Sequence, residues 1–404
     1  MTEVESSTID GAAAPTRWKG GAIALQIVTA VCLVATALMT LMLGAVAIVD
    51  SDGNDGNRDF IQYWAAGQLL VQGKNPYDRG EILKLERPAG YTKDPAAVSF
   101  SPPILFVLIA PLGLVNAKEG AILGCVFLFV CLLAALRLIW ASLGKPPTGY
   151  FLLAFCFAPV LTCFMAGQIG IVLLLAIAIF LRFHSSYPVV AGVALAACAW
   201  KPHLFGPFGL ALILWMVLGR RFRLAIGIGV GIAIAVAFSI WIDGHSWSQW
   251  VHFMHTVDPP NQFQPTLSKL FRDQVHQGWV WLQFLPEVLA SVWSVAYFWR
   301  RRKEWDWLGD GLLLLIVSVG CAPYAWLTDE SILVPAILAA IFSARAAGRT
   351  LLPLSVILMA SATILIRGHW MDTLYYLWTT PAYLAWYLYA TWREQKVEQP
   401  SLAV

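Results

Sequence analysis

Residues 21–49 read GAIALQIVTAVCLVATALMTLMLGAVAIV, and after a short polar stretch residues 58–67 read RDFIQYWAAG. The first run carries no charged side chain and is long enough to cross a hydrocarbon layer about 30 Å thick as a helix. Asp59 in the second run therefore stands at the edge of a membrane, just beyond the first predicted crossing. Its position sets the side of the membrane on which a reactive site is expected.

The composition is that of an integral membrane protein. Of the 404 residues, 59% are hydrophobic and 13% are charged, and a soluble domain could not hide so much apolar surface. Apolar runs of about 15 to 25 residues recur along the chain and lack the alternation of barrel strands. The sequence predicts an all-α polytopic membrane protein with one transmembrane domain at residues 21–392, between cytoplasmic tails at 1–20 and 393–404.

The first apolar run is predicted to be a retained span and not a signal peptide. It is longer than a signal-peptide core and shows no obvious cleavage site of small residues. Because Arg17 and Lys19 precede it, the N-terminal side is expected in the cytoplasm.

Basic clusters predict the topology, because Lys and Arg stay on the cytoplasmic side of short loops. They fall at every second turn, at residues 220–223, 300–303, 345–349 and 393–396. This predicts about twelve crossings of a bacterial inner membrane, both termini in the cytoplasm, and periplasmic loops at 50–100 and 243–275. The charge pattern needs an odd number of crossings between residues 101 and 182, so the short, proline-flanked piece 101–115 is expected to be re-entrant or half-spanning.

Charge and cysteine content argue against several other classes of function. The formal net charge of +3 gives no reason to expect nucleic acid as a partner. All seven cysteines lie inside apolar segments, where a thiol usually packs as a small hydrophobic group. We expect no cofactor, and the sequence leaves a divalent cation open.

The predicted topology gathers polar side chains on the outer face. Ionisable groups at membrane depth are costly and usually face a cavity or a pathway, so a site that opens outward is expected. The residues concerned are Asp59, Asp78, Gln168, Lys201, His203, Asp329, Glu330, Arg367 and His369.

Asp59 admits two interpretations. As a general base it would take the proton of a hydroxyl acceptor, which requires a carboxylate within hydrogen-bond reach. As a helix N-cap it would bond the first free amides of the amphipathic, interfacial helix predicted from Phe60 to Val71. The sequence Asn75-Pro76-Tyr77-Asp78 is likewise typical of a turn.

The other candidates also admit two interpretations each. Lys201, before Pro202, is either a snorkelling lysine at a helix boundary or a cation for a phosphate. Asp329 is either an N-cap in a solvated turn or a second acid across a cavity from Asp59. Arg367 is either an interfacial anchor or a phosphate-binding cation. Gln168 interrupts the apolar run 150–183, and a broken helix in a membrane is tolerated mainly where it lines protein or water.

Taken together, these residues resemble the polyprenyl-phosphate-sugar-dependent transferases of glycosyltransferase family 87, which have the GT-C membrane fold. The resemblance extends over about residues 20–345. The motifs that carry it are Asp59-Phe60 with Tyr63-Trp64 and Gly67, Gly73-Lys74-Asn75-Pro76-Tyr77, Pro102-Pro103, Gly167-Gln168, Lys201-Pro202, and Pro323-Tyr324 with Asp329.

The resemblance implies inverting transfer of a hexose from a polyprenyl-phosphate donor to a lipid or glycan acceptor outside the membrane, with membrane lipids as surroundings. Asp59 would be the catalytic base. From charge and side we expect Lys201, with Arg367 or His203, to hold the donor phosphate. The expected substrate-binding residues are Tyr63, Asn75, Tyr77, Gln168, Lys201, His203, Tyr324, Asp329 and Arg367.

The late turn departs from part of that family. At this turn, mycobacterial mannosyltransferases of this type have a sequence that looks like Ser-Pro-x-Ser-Trp-x-His-His. Residues 322–329 of this chain read APYAWLTD instead. The histidine pair is absent, so the identity of the sugar, mannose included, stays open.

The rival hypothesis is a transporter or flippase of a lipid-linked or small polar solute, which broken spans and intramembrane charges would also suit. Two halves related by symmetry would favour the transporter. Asp59, Lys201 and Asp329 around one outer cavity would favour the transferase.

Overall fold

The computed structural model describes residues 59–257, 264–368 and 374–392, together with four isolated positions of the first apolar run. The rest of that run, both predicted tails and His369 lie outside the described residues. Across the described ranges the chain is all-helical and has no β-strand. The predicted α class is therefore confirmed.

The helices up to residue 242 include those of the first loop. They are α1 Phe60–Val71, α2 Arg79–Glu86, α3 Phe106–Ile109, α4 Ala117–Ser142, α5 Ala158–Ala166, α6 Gly170–Phe183, α7 Pro188–Leu195, α8 Gly206–Leu218 and α9 Phe222–Ile242. Segments of 3-10 helix lie at Pro103–Leu105, Ala110–Leu114, Thr148–Cys156, Ala196–Trp200 and Pro202–Leu204.

The remaining helices begin with the second loop. They are α10 Ser246–Thr256, α11 Leu267–Val275, α12 Leu285–Arg301, α13 Leu312–Cys321, α14 Val334–Ala346, α15 Leu352–Ile366 and α16 Thr379–Thr391. Segments of 3-10 helix lie at Val280–Gln283, Leu327–Leu333 and Leu374–Tyr376, and a π-helical turn lies at Trp307–Gly311.

Three helical segments of the described chain are long and apolar enough to cross a membrane: Ala117–Ser142, Phe222–Ile242 and Leu327–Ala346. A fourth crossing arises if Thr148–Cys156 and α5, which meet at 52°, form one bent span. The chain is a multi-pass membrane protein by this measure, and the expectation of about twelve crossings stays a prediction. The segment Pro103–Leu114 is 12 residues long by its bounds, about 18–24 Å, which is too short for a straight crossing.

The spans differ in how much protein surrounds them. In the most apolar window of Leu327–Ala346, 89% of the residues are buried, against 33% in Ala117–Ser142 and 17% in Phe222–Ile242. The first of these segments is therefore the centre of the bundle, and the other two lie at its edge with most of their surface toward lipid. The Leu327–Ala346 segment begins with the late turn that carries Asp329.

Helix α1 has the predicted bounds but not the predicted surroundings. Nine of its twelve residues are buried, so it packs inside the protein and does not lie along a membrane surface. The side chains of Trp64 and Gln68 both donate to the carbonyl oxygen of Val115, at 2.9 and 2.8 Å. A Cβ added at Gly113 would overlap the carbonyl oxygen of Gly67, which shows how closely the two backbones approach. The prediction of an interfacial helix was wrong. The contact that buries α1 joins segments distant in sequence, and helical periodicity alone does not reveal it.

We expect Gly113→Ala to lower stability by about 1–3 kcal/mol, because the added methyl group must push α1 away from Ala110–Leu114. The midpoint of thermal unfolding in detergent would fall accordingly. Gly149→Ala is the matched control: Gly149 also lies in a 3-10 segment, but a Cβ there would meet nothing within 4 Å. Equal midpoints for the two variants would refute the close approach.

Candidate active site

One polar cluster forms where several helices are interrupted. Asp59 directly precedes α1, and Gln168 lies in the elbow between α5 and α6. Lys201 lies between two 3-10 segments, and Asp329 lies in the 3-10 segment of the late turn. We call these four residues the polar cluster. Side chains at interruptions can converge because the backbone there is free of the regular helical path.

Hydrogen bonds connect the polar cluster from end to end. Gln168 Nε2 donates to Asp59 Oδ2 at 2.7 Å. Lys201 Nζ donates to Gln168 Oε1 at 3.3 Å and to Asp329 Oδ1 at 2.7 Å. Trp326 N donates to the other oxygen of Asp329 at 2.9 Å. Residues far apart in the sequence are thus held in one network.

The amide of Gln168 has a defined orientation. Its oxygen accepts from Tyr63 OH at 3.0 Å as well as from Lys201 Nζ, and only an oxygen can accept from both donors. The amide nitrogen must therefore face Asp59. Gln168 acts as a positioning residue for the carboxylate of Asp59.

Burial separates the two acids of the polar cluster. Gln168, Lys201 and Asp329 are 5%, 8% and 1% exposed, whereas Asp59 is half-buried. No described residue donates a hydrogen bond to Asp59 Oδ1. Asp59 is thus the more exposed end of the network, and Asp329 is its enclosed end.

Gly167 lets the elbow approach the first loop. Its φ is +70°, in the left-handed region that favours glycine. A Cβ at this position would lie 2.5 Å from Cβ of Phe60, the residue after Asp59. Glycine at 167 therefore brings Gln168 within reach of Asp59.

Three alternative interpretations of the cluster residues are wrong. Asp59 occupies the N-cap position of α1 but makes no capping hydrogen bond; its backbone is helical, with φ −63° and ψ −21°, unlike the extended backbone usual at a cap. Lys201 does not snorkel, since its ammonium group is buried in an ion pair with Asp329. The turn at Asp329 is not solvated, because both Asp329 and Glu330 are buried.

Glu330 lies on the other side of the late turn. Its Oε1 accepts from the hydroxyl groups of Thr379 and Thr380 at 2.6 and 2.7 Å. These bonds join the late turn to the first turn of α16. Glu330 thus contributes to the packing of helices, whereas its neighbour Asp329 belongs to the polar cluster.

Two predicted site residues lie beside the polar cluster. His203 follows Lys201 by two residues and is half-buried. Its ring meets the ring of Tyr324 edge to face, with centroids 6.0 Å apart. Tyr324 also packs on Phe284, at 5.8 Å.

Three other predicted site residues make their contacts elsewhere. Asn75 Oδ1 accepts from Tyr77 N at 2.9 Å, and Tyr77 OH donates to Ser101 O at 3.1 Å. Asp78 caps α2 by accepting from two backbone amides, so the predicted turn is confirmed. Arg367 is exposed at the C-terminal end of α15, and within the described ranges no hydrogen bond or ion pair joins it to the polar cluster.

Electrostatics make Asp59 a stronger base than an ordinary aspartate. Burial raises the pKa of Asp59 above its usual value, and the hydrogen bond from Gln168 and the charge of Lys201 act against that rise. The charge of Asp329 raises the same pKa, and that of Lys93 lowers it. Sequence reasoning missed Lys93, an exposed residue of the first loop, because no motif or break marks its position.

An apolar cavity of about 370 Å³ adjoins the polar cluster. Its walls come from the start of α1, the segment Pro103–Leu114, α4 and the α5–α6 elbow. No residue of the polar cluster lines it, but Tyr63, which bonds to Gln168, and Gly167, which precedes Gln168, do. Leu123 and Phe127 of α4 line it and are also exposed on the outside of the bundle. The cavity therefore lies open on the side where α4 exposes its apolar residues.

No group of three or more His, Cys, Asp or Glu side chains that could hold a metal ion occurs within the described parts of the chain. Of the residues in the polar cluster, only Asp59 and Asp329 are acids. They are bridged by Gln168 and Lys201, so a protein cation already stands between them.

A family model described as glycosyltransferase family 87 matches residues 101–323, more than half of the 404 residues. The matched region contains Gln168, Lys201 and His203; it begins after Asp59 and ends just before Tyr324. Comparison with curated proteins and with solved structures finds no match. On the extent of the family match, this chain belongs to glycosyltransferase family 87 and is a membrane glycosyltransferase.

Proposed function

We propose that the protein transfers a hexose, with inversion, from a polyprenyl-phosphate donor to a hydroxyl group of a lipid or glycan acceptor, on the periplasmic side of a bacterial inner membrane. The observation that carries this proposal is the half-buried carboxylate of Asp59, held at 2.7 Å by Gln168 beside a lateral apolar cavity. A half-buried acid with a polar network behind it and an apolar cavity nearby suits this reaction.

Asp59 is the proposed general base. It would accept the proton of the acceptor hydroxyl while that oxygen attacks the anomeric carbon and the bond from that carbon to the phosphate oxygen breaks. A double displacement would need two accessible groups, one as nucleophile and one as base for the acceptor hydroxyl. Asp329 is enclosed and already accepts from Lys201 and Trp326, so the arrangement favours a single displacement, which inverts the anomeric centre.

Lys201 is the proposed partner of the donor phosphate. An ammonium group has three donors, and Lys201 uses two of them on Gln168 and Asp329. The third is available to a phosphate oxygen that gains charge as it leaves, the type of electrostatic stabilisation that often dominates catalysis. The other two expected phosphate partners fit less well. His203 lies beside Lys201, but burial lowers its pKa to about 4, so its ring is neutral at neutral pH. Arg367 makes no hydrogen bond or ion pair with the polar cluster within the described ranges.

The apolar cavity is the proposed site of the polyprenyl chain. Its lining is almost entirely apolar, and one end meets Tyr63 of the polar network while α4 leaves it open to lipid. An isoprenoid tail placed there would remain out of water, and its phosphate would lie at the polar end.

The transporter hypothesis is not favoured. Membership of a glycosyltransferase family supports an enzyme. Asp59, Lys201 and Asp329 are joined through Gln168, which supports a shared site. None of the three lines the apolar cavity, so their placement around one outer cavity stays a prediction.

The direct test is transfer of label from a radiolabelled polyprenyl-phosphate hexose to a membrane-lipid extract by the purified protein in liposomes. We expect Asp59→Asn and Asp59→Ala to lower kcat by about 10²-fold or more, because the base is lost. Asp78→Asn is the matched control: this loop acid caps α2, and asparagine caps nearly as well. Unchanged turnover in both Asp59 variants would remove the base assignment, and label that stays on the lipid for every sugar tested would favour the transporter.

Gln168→Leu should move the acidic limb of the pH profile of kcat/KM to higher pH. The hydrogen bond from Gln168 lowers the pKa of Asp59, so its loss raises that pKa and depletes the ionised base at acidic pH. Gln62→Leu, a half-buried glutamine of α1 outside the polar cluster, is the control. If Gln168→Leu lowered the rate equally at every pH and left the acidic limb of the profile in place, Gln168 would have only a structural role.

Gly124→Leu should fill part of the apolar cavity. A Cβ there would make only ordinary contacts, 3.5 Å from the Phe60 ring, so the fold should tolerate it. We expect KM to rise several-fold for a long polyprenyl donor and less for a donor with a short chain. Gly229→Leu on the exposed face of α9 is the control, and an equal effect on both donors would place the chain elsewhere.

A further inference from the structure

Helix α11 carries an outward apolar stripe. Leu267, Phe271 and Val275 are 41%, 39% and 54% exposed. They are spaced four residues apart, so they lie along one side of the helix. A helix on a water-facing surface normally shows its charged side outward.

Four of the five polar residues of α11 bond inward or to one another, and Gln274 is exposed. Ser268, which is buried, donates from Oγ to Cys321 O at 2.9 Å. Lys269, also buried, pairs with Asp273 at 2.7 Å, and Arg272 donates to Gln283 Oε1 at 2.9 Å. The polarity of α11 is therefore inverted with respect to a helix in contact with water.

The apolar surface continues beyond α11. Exposed large side chains follow in the turn and along one side of α12, at Trp279, Val280, Trp281, Phe284, Val288, Val292, Val295 and Trp299. Helix α12 has 17 residues, about 25 Å in length. Trp279 and Trp281 lie in the turn before it, and Trp299 lies near its end, followed by arginines at residues 300–302. Aromatic residues at two levels, with cations beyond one of them, are typical of the two edges of a bilayer.

We propose that α11 and the turn at 276–284 form an interfacial element that lies on the phospholipid bilayer. The apolar stripe of α11 would contact acyl chains, and Trp279 with Trp281 would lie at the level of the headgroups. The occupant is the bilayer and not a second protein, because the exposed surface is continuous with the apolar side of α12. This inference goes beyond the proposed reaction and does not depend on it.

The interfacial element is bonded to the end of α13 and to the start of the late turn. Ser268 donates to Cys321 O, and Gln283 Nε2 donates to Pro323 O at 2.6 Å. Tyr324 follows directly, and its ring packs on Phe284 of the same element. Contact with lipid at α11 would therefore hold the turn that carries Asp329 at a fixed depth.

Photo-crosslinking in phospholipid vesicles tests the proposal without reference to activity. The full-length protein would carry Phe271→p-benzoylphenylalanine, and in a second preparation Leu267→p-benzoylphenylalanine, with irradiation followed by intact-mass measurement. We expect phospholipid adducts at both positions, as at Val292 of α12 with the same substitution, and none at Lys84, an exposed lysine of α2. Absence of lipid adducts at 267 and 271 while Val292 gives them, or adducts with a second protein chain, would overturn the proposal.

Discussion

The buried ion pair of Lys201 with Asp329 is the interaction on which the arrangement of the site depends. Removing two charges from water is costly, and such a pair persists only when further hydrogen bonds satisfy its remaining atoms. Gln168 supplies one of these bonds to Lys201, and the backbone of Trp326 supplies one to Asp329. The Lys-Pro break and the late turn are therefore fixed relative to each other, since displacement of either leaves a buried charge without its partner. Displacement of the elbow would cost Lys201 its hydrogen bond to Gln168.

Asp59 is joined to this pair through a single side chain. The oxygen of Gln168 is occupied by Tyr63 and Lys201, and its nitrogen is left for Asp59. The two donors thus set the orientation of the Gln168 amide, and this orientation turns its nitrogen toward Asp59. Rigid support for a carboxylate that is itself half-exposed is the arrangement expected of a reactive group on a loop held by a scaffold.

The helical fold and the interruptions in it could be predicted from sequence, whereas the burial of individual side chains and helices could not. Apolar runs and their breaks at Gly167 and Pro202 were enough to single out Gln168 and Lys201. Arg367 satisfied the same criteria, yet it is exposed. The local sequence does not reveal whether a charged residue will meet a distant partner, as Lys201 meets Asp329 128 residues further along the chain. The bounds of helix α1 were predicted correctly, but its burial depends on a contact between two glycines that are distant in sequence.

Charge conservation during the proposed reaction explains why two acids and one cation would suit the site. As the acceptor proton moves to Asp59, that carboxylate loses its negative charge, and the leaving phosphate gains one. The total charge of the site is unchanged while negative charge moves from Asp59 to the donor side. Lys201 remains paired with Asp329 throughout, so the enclosed acid balances part of its charge and leaves a donor free. Without Asp329 the buried ammonium group of Lys201 would lose its ion-pair partner, so Asp329 would act by holding that group in place beside Gln168.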